Sequence, residues 1–218
     1  PTGILVYEGS LLPSSFHNQM IHCDAGPNVV RAYPVANSGA GYTATTIDMV
    51  KGKDNQWFRP SDVCVAPDGS LIIADWYDPG VGGHQAGDQT RGRIYRLAPP
   101  SSKYTIAPQD YSSAAGAVAA LQNPNLSVRY RAFTALQQMG TGATAELEKC
   151  WSSSPNPRMR ARAFWALVNR PTATASKYIQ QALRSSDPNL RIIGIRASKQ
   201  LGVGVIESVR LLLKDADA

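Results

Sequence analysis

Three aspartates and a histidine lie in one glycine-rich stretch, and these residue types can do chemistry together. Asp75 and Asp78 are followed, after several glycines, by His84 and Asp88. Carboxylates and backbone carbonyls in a flexible loop suit calcium, so Asp75, Asp78 and His84 form a candidate metal site. An imidazole near a carboxylate could instead transfer protons, which makes His84 the candidate catalytic residue. The structural alternative is that the aspartates bond to the backbone of their own loop.

Further polar and aromatic residues could hold a cofactor near this loop. Arg59 and Asp62 flank the start of an apolar strand, and Trp76 follows a second strand. A guanidinium can bind an acidic cofactor, so these three are the candidate cofactor-binding residues. A salt bridge between Arg59 and Asp62 is the structural alternative. His22 and Asp24 share one face of another strand because side chains alternate, and they could converge on the same site.

Short strands and tight turns must position these residues. An Asp-Gly pair between the apolar runs 62–66 and 70–75 is a strong hairpin signal, and 93–97 is a further strand. Strands at this spacing are typical of an antiparallel sandwich or a propeller. We interpret residues 19–50 as a four-stranded propeller blade and residues 62–97 as a second blade that lacks one strand.

About two blades cannot close a propeller, because a ring needs four or more. Left open, they would present bare sheet edges that invite pairing with other strands. We therefore predict that the remaining propeller blades, or a partner protein chain, cover this half. The sequence starts at Pro1 and ends just after an apolar run, so we also expect a fragment of a longer protein.

The second half has the period of helices and an internal repeat. Apolar positions recur at i, i+4, i+7 and i+8, and the pattern returns after 31 residues. A Pro/Asn turn precedes each such helix, which suits a helix start. Helix pairs at a fixed period indicate an α-solenoid of HEAT-like units. The repeat residues are Met159, Ala163, Ala166 and Leu167, then Leu190, Gly194, Ala197 and Leu201.

We therefore predict a β-then-α multidomain chain. Residues 1–100 are the propeller blades, residues 101–113 are a linker, and residues 114–218 are the helical solenoid, which we expect to be truncated.

Charge and cysteines narrow the function classes. The net charge is +6, and the strand-rich half is slightly acidic while the helical half is basic. Arg129, Arg160 and Arg191 hold one repeat position and form either an anion-binding ridge or structural contacts that order the turns. Nucleic-acid binding by this half is a third hypothesis, but nucleic acid is not the partner that we expect.

The chain has no apolar run long enough for a transmembrane segment. The three cysteines form no zinc or haem motif, and we expect Cys23, Cys64 and Cys150 to be buried thiols.

Several motifs of the first half resemble one known family. They are Trp57-Phe58-Arg59-Pro60, the run from Asp75-Trp76-Tyr77-Asp78-Pro79-Gly80 to His84, and Arg91-Gly92-Arg93-Ile94-Tyr95-Arg96. Together they resemble the C-terminal end of the propeller in large bacterial membrane-bound dehydrogenases, which are related to glucose/sorbosone dehydrogenases. In that family HEAT-type repeats, and often a cytochrome c module, follow the propeller.

The resemblance implies a fragment of a periplasmic or extracytoplasmic, membrane-associated quinoprotein-like sugar or alcohol dehydrogenase. It implies pyrroloquinoline quinone (PQQ) and calcium as cofactors of the full-length parent. This chain lacks most of the propeller and any haem motif, so we expect it to be inactive alone and to act as scaffold and interaction surface. The alternative is a non-enzymatic subunit that docks partner proteins through its blade edges and its solenoid.

Overall fold

The computed structural model places strands first and helices second, which confirms the β-then-α order. It divides into two compact units: Pro1–Pro108 with Asn123–Leu126, and Gln109–Gln122 with Ser127–Ala218. The residues that the structure describes are 2–39, 41–80, 90–170 and 175–217.

The described part of the first unit contains nine strands in three antiparallel sheets. Strands β1, β2, β3 and β6 form a four-stranded sheet in that order, and β7, β8 and β9 form a three-stranded sheet. Strands β4 and β5 pair as a separate hairpin between β3 and β6. The strands are β1 (Ile4–Val6), β2 (Met20–Asp24), β3 (Val29–Tyr33), β4 (Val35–Ser38), β5 (Gly41–Ala44), β6 (Ile47–Lys51), β7 (Pro60–Val65), β8 (Leu71–Asp75) and β9 (Arg93–Leu97).

One core joins the two larger sheets. Side chains alternate along each strand, so every second residue faces the other sheet. Leu71, Ile73 and Asp75 of β8 are buried, whereas Ile72 and Ala74 between them are half-buried. The core contains Tyr7, Leu12, Ile21, Cys23, Val30, Ala32, Phe58, Val63, Val65, Leu71 and Ile73.

The Asp-Gly turn between β7 and β8 forms as predicted. Gly69 has a φ of +89°, a conformation that side chains disfavour. The Asp68 carboxylate accepts a hydrogen bond from the Ser70 amide at 2.9 Å. The buried Tyr7 hydroxyl donates to the Gly69 carbonyl at 2.7 Å, which ties this turn to the other sheet. The turn fixes the register that places Asp75 at the end of β8.

The described part of the second unit contains seven α-helices and shares one hydrophobic core. None of the helices among the described residues is long and apolar enough to cross a membrane. The helices are α1 (Ala114–Ala120), α2 (Leu126–Gln138), α3 (Thr144–Ser153), α4 (Pro157–Val168), α5 (Ala175–Leu183), α6 (Pro188–Leu201) and α7 (Val205–Leu211).

The predicted helix starts are confirmed for α4 and α6. Asn156 accepts a hydrogen bond from the Arg158 amide at 3.0 Å, and Asp187 accepts one from the Asn189 amide at 2.9 Å. Proline occupies the first turn of both helices, where its missing amide proton is not needed. The start of α1 is capped differently, since Ser113 accepts from the Gly116 amide at 3.0 Å.

The predicted apolar face of α4 is buried, and so is that of α6 except for Leu201, which is half-buried. Met159, Ala163, Ala166 and Leu167 are at most 5% exposed, and so are Leu190 and Ala197. Gly194 lies against Leu183 of α5, and a Cβ at residue 194 would sit 3.1 Å from the Leu183 side chain and backbone nitrogen. The glycine therefore permits the close approach of α5 and α6.

The repeated arginines make contacts that order turns. Arg160 donates from Nε to the Trp151 carbonyl at 3.0 Å. Arg191 donates to the Ser185 carbonyl at 2.9 Å and from Nε to Asp215 at 2.6 Å. These are the contacts expected of the structural alternative, because the guanidinium groups of Arg160 and Arg191 point at backbone carbonyls and a local carboxylate rather than being held open for an anion.

Candidate functional site

Asp75 lies at the end of β8 with its side chain on the core side of the sheet. Its Oδ1 accepts hydrogen bonds from the Arg59 amide at 2.8 Å and the Tyr77 amide at 2.9 Å. Its Oδ2 is buried and accepts no hydrogen bond from any residue that the structure describes. The Arg93 guanidinium lies 3.9 Å from Oδ2, since β9 pairs Arg93 with Asp75 in the strand register. Asp75 thus holds the turn that follows β8 and keeps one oxygen beside a cation.

Asp78 uses both of its carboxylate oxygens in the same loop. Oδ1 accepts from the Gly80 amide at 2.7 Å, and Oδ2 accepts from the Trp76 indole at 3.0 Å. The residue is 3% exposed. The amide two residues on is the usual partner of a turn aspartate, so this contact is a local one. The geometry of Asp78 is that of a loop-closing residue.

Arg59 is a buried clamp rather than an open cation. Its Nε donates to the Asp78 carbonyl at 3.0 Å, and its Nη2 donates to the Pro79 carbonyl at 3.2 Å. Its Nη1 donates to the Ala25 carbonyl at 2.8 Å and the Gly26 carbonyl at 3.0 Å. The guanidinium therefore joins the β2–β3 turn of one sheet to the loop after β8 in the other. Four of its five N–H donors are thus directed at backbone carbonyls, and its role as a cofactor ligand stays a prediction.

Of the other candidate residues, Trp76 lies in this loop and donates to Asp78, whereas Asp62, His22 and Asp24 contact partners elsewhere. Asp62 is exposed and accepts from the Val63 amide at 2.8 Å, and the described contacts contain no salt bridge to Arg59. The Trp76 side chain is 63% exposed, although its indole nitrogen donates to Asp78. His22 and Asp24 contact partners on their own sheet instead. His22 lies 3.2 Å from the Tyr33 hydroxyl, and Asp24 pairs with Arg31 at 3.0 Å.

Two of the candidates, His84 and Asp88, lie outside the residues that the structure describes. The candidate catalytic role and the histidine of the candidate metal set therefore stay predictions.

Two residues that sequence reasoning missed complete the surface of the site. Tyr77 has a φ of +52°, and its ring contacts Trp57 with centroids 5.6 Å apart. The Arg93 guanidinium stacks 3.8 Å from the centre of the Tyr77 ring. Pairing the predicted strands 70–75 and 93–97 in an antiparallel sheet would have placed Arg93 opposite Asp75. The contact of Arg93 with the site could therefore have been predicted from the sequence. Nothing in the local sequence marks the left-handed backbone of Tyr77.

The described residues do not fit calcium. Both oxygens of Asp78 already accept a hydrogen bond, and Asp75 offers one buried oxygen that already faces a guanidinium. No group of three metal-binding side chains occurs in the described ranges 2–39, 41–80, 90–170 and 175–217. PQQ carries several carboxylates, which need cationic or N–H donors from the protein. The buried Arg59 already donates four hydrogen bonds to backbone carbonyls, so it does not present such a group. No chemical step through either group is derived from these residues.

The three cysteines differ in burial, and the prediction of buried thiols holds for Cys23 but not for Cys150, which is half-buried. Burial raises the pKa of the Cys150 thiol. Burial, reinforced by Asp62, raises the pKa of the Cys23 thiol to about 12. Cys64 is exposed, so the prediction of a buried thiol was wrong for this residue. The alternation of β7 turns Val63 and Val65 to the core and therefore turns Cys64 outward. Partial burial and Asp62 still raise the pKa of Cys64, which favours the neutral thiol.

Comparison with known protein families gives a match for the strand half of the chain. A family model described as Domain of unknown function (DUF7133) matches residues 1–101. No curated protein and no solved structure matches the chain. The match spans the strands β1 to β9 and includes Arg59, Asp75 and Asp78, so the part of this chain that is similar to the DUF7133 domain is the part that holds the candidate site.

Proposed function

We propose that this chain is the scaffold and interaction part of an extracytoplasmic quinoprotein-like sugar or alcohol dehydrogenase. In this proposal residues 1–100 are two blades of a β-propeller, and residues 114–218 are a solenoid of HEAT-like helix pairs. The resemblance of the sequence motifs supports the family. The antiparallel sheets of four and three strands, which share one core, are compatible with neighbouring blades.

The observation that carries the proposal is the uncovered apolar surface on the outer side of both sheets. Ile4 and Val6 of β1 are 62% and 45% exposed, and Ile94 of β9 is 70% exposed. Leu5 and Ile73, which face the opposite way, pack in the core. In a propeller each blade is covered on both faces by its neighbours, so exposed apolar side chains on the outer faces suit blades that await further polypeptide.

The helical unit has the same property at α7 and beyond it. Trp151 and Ala182 occupy one repeat position and are 7% and 0% exposed. The next residue at that position is Leu213, which is 73% exposed, and Ile206 of α7 is 68% exposed. The positions that earlier helix pairs bury are therefore open here. A further helix pair or a partner protein would cover them in this proposal.

The polar residues of the candidate site support a scaffold over a catalyst. Arg59 donates to the Asp78 carbonyl, and the Asp78 carboxylate accepts from the Gly80 amide. One oxygen of Asp75 accepts from the Arg59 amide, so these side chains bond to backbone groups of their own surroundings. A catalytic residue must be able to reach a substrate, whereas these side chains are at most 8% exposed. Their role in the proposal is to hold two sheets together.

Sedimentation velocity on the purified chain tests the proposal. Chains with uncovered apolar faces are expected to self-associate as concentration rises and to bind a hydrophobic dye. The Ile4→Thr/Ile94→Thr variant removes apolar surface without touching the core, so it should lower association while the melting temperature stays within about 2 °C. A wild-type chain that is monomeric and dye-negative at all concentrations would refute the interaction surfaces.

A second measurement separates the scaffold from a cofactor-binding enzyme. PQQ with calcium is added to the chain, and the melting temperature is followed. The proposal expects no rise, because the described residues offer neither group a site. A rise that saturates with PQQ concentration would contradict the scaffold and favour an enzyme.

A further inference from the structure

We infer that the open face of α7 binds an amphipathic helix that carries the sequence pattern shared by α4 and α6. The inference rests on the proposed function, because it names the chemistry of the polypeptide that would continue the helical stack. The internal repeat identifies the occupant. In the two preceding pairs α3 packs on α4 and α5 packs on α6, so the molecule itself shows what covers the equivalent faces.

α7 exposes a face that the first helix of each preceding pair buries. The face consists of positions i, i+3 and i+7, which lie on one side of a helix. In α3 the last two positions, Leu147 and Trp151, are at most 7% exposed. In α5 all three are at most 9% exposed, and they are Ala175, Tyr178 and Ala182. One 31-residue period later come side chains that are 68%, 45% and 73% exposed, in the order Ile206, Val209 and Leu213. These last three residues are the open face of α7.

Another side of α7 already faces the preceding helix pair. Ser208 is 1% exposed, and its hydroxyl lies 2.8 Å from the Ser198 hydroxyl of α6. The equivalent residue of α5 is Lys177, which donates to Glu148 of α3 at 2.9 Å. Both contacts are made with the preceding pair, so α7 turns the same side toward that pair as α5 does. What α7 lacks among the described residues is the second helix of its own pair.

The two covered pairs show which side chains the occupant needs. Trp151, which is equivalent to Leu213, contacts Phe164 of α4 with ring centroids 5.2 Å apart. Leu183 of α5 lies so close to Gly194 of α6 that a Cβ on the glycine would sit 3.1 Å away. Phe164 is the eighth residue of its helix, and Gly194 is the seventh residue of its helix. Close packing of the same kind on α7 requires a small residue followed directly by a large apolar one.

The pattern common to α4 and α6 supplies the remaining positions. Both helices begin with proline and carry arginine at the fourth position. Arg160 donates to the Trp151 carbonyl at 3.0 Å, and Arg191 donates to the Ser185 carbonyl at 2.9 Å. The last carbonyls of a helix have no partner within it, so an arginine of the occupant would serve those at the end of α7 in the same way. The matching residues are Pro157 and Pro188, Met159 and Leu190, Arg160 and Arg191, Ala163 and Gly194, Phe164 and Ile195, and Ala166 and Ala197.

A lengthened chain tests the inference, with the sequence of α6 as the probe. Residues 188–201 are repeated directly after Ala218, because the 31-residue period places that junction where Asp187 meets Pro188. The tether raises the effective concentration of a helix that is too short to be stable alone. We expect hydrogen exchange at the amides of Val209 to Leu213 to slow at least about tenfold relative to the chain without the repeat. Protection should extend to Lys214, because α5 ends at the equivalent Leu183.

A matched extension and two matched variants isolate the contact. The control extension carries Leu190→Asp and Ile195→Asp in the repeated copy alone and should give no slowing. Leu211 and Leu213 are 51% and 73% exposed, but Leu211 lies about 200° around the helix from Val209 and therefore off the open face. In the lengthened chain Leu213→Asp should abolish the slowing, whereas Leu211→Asp should preserve it within about threefold.

Equal exchange with the two extensions, or an equal effect of the two leucine variants, would overturn the inference. Protection of α7 in the chain without the repeat that rises with protein concentration and vanishes in Leu213→Asp would assign the face to a second copy, and it would overturn the inference too. All of these results are measured at α7. Failure of the proposed function is measured differently, as a chain that stays monomeric and dye-negative, so the two failures are distinguishable.

Discussion

Replacing Arg59 with methionine should destabilise the first unit strongly, although Arg59 was a candidate cofactor ligand. Methionine keeps much of the side-chain volume and removes four hydrogen bonds to backbone carbonyls. A hydrogen bond to a charged group contributes roughly 1.5–3 kcal/mol. The carbonyls of Ala25 and Gly26 lie at a partly exposed turn and can regain water, whereas Asp78 is buried. We therefore expect a loss of about 3 kcal/mol in the free energy of unfolding.

Hydrogen exchange in increasing urea measures this loss unit by unit. With a urea dependence of about 2 kcal/mol per molar, the midpoint for peptides from β7 and β8 should fall by about 1.5 M. Peptides from α4 and α6 report on the helical unit separately. The loop after β8 should also exchange faster in native conditions, because Arg59 holds the carbonyls of Asp78 and Pro79.

Arg31→Met is the matched control in the same unit. Arg31 pairs with Asp24 at 3.0 Å and Asp48 at 2.9 Å on the outer face of its sheet, where solvent screens the charges. It should lose clearly less stability than Arg59→Met. Equal losses of unfolding free energy in the two variants would contradict the clamp. So would an Arg59→Met variant whose affinity for an acidic cofactor changes while its stability does not.

Three other predictions concern single residues. In native protein a thiol reagent at neutral pH should label Cys64 slowly and Cys23 only after unfolding, which mass spectrometry can follow; equal labelling rates would contradict the burial of Cys23. Gly194→Ala should destabilise the helical unit by about 1–3 kcal/mol in urea titrations because its Cβ would crowd α5. Gly142→Ala, whose Cβ would have no atom of the described residues within 4 Å, should be neutral or stabilising. Hydrogen bonds from the serines that follow Asp110 lower its pKa to about 2. This carboxylate therefore adds stability at and above about pH 4, and that stability is lost as the pH falls from about 4 to 2. Asp110→Asn should remove this pH dependence from thermal melts, and an unchanged profile would refute the prediction.

The sequence predicted those parts of the fold that depend on neighbouring residues. The hairpin of β7 and β8 followed from an Asp-Gly pair, and the helix starts at Pro157 and Pro188 followed from Asn and Asp caps. In each case the residue that decides the structure bonds to a backbone group within two residues of itself. Such local contacts can be inferred from spacing alone.

Longer-range features escaped prediction because their partners are distant in the chain. Residues 19–50 were interpreted as a four-stranded blade, but they contribute five strands, β2 to β6. The four-stranded sheet takes β1 from outside that range, and β4 and β5 pair with each other instead of joining it. Threonine-rich sequence favours strands without saying which strand is the partner. Arg59 likewise bonds to carbonyls of Ala25 and Gly26, and a carbonyl carries no sequence signal.

The spacing of the aspartates in the strand half suggested a chemical site, but their hydrogen bonds show structural roles. Asp68, Asp75 and Asp78 each accept from the amide two residues on, at 2.7–2.9 Å. Each therefore closes a turn at the end of a strand, and strand ends are also where catalytic carboxylates are commonly sought. What distinguishes the two roles is the second oxygen. That of Asp78 is bonded to an indole, and that of Asp68 pairs with Arg96 at 2.8 Å.

The second oxygen of Asp75 is the exception. A buried carboxylate oxygen without a hydrogen bond is unfavourable, and a cation 3.9 Å away compensates only part of that penalty. Arg93 reaches this position because β9 pairs with β8, so the carboxylate links the turn after β8 to the neighbouring strand.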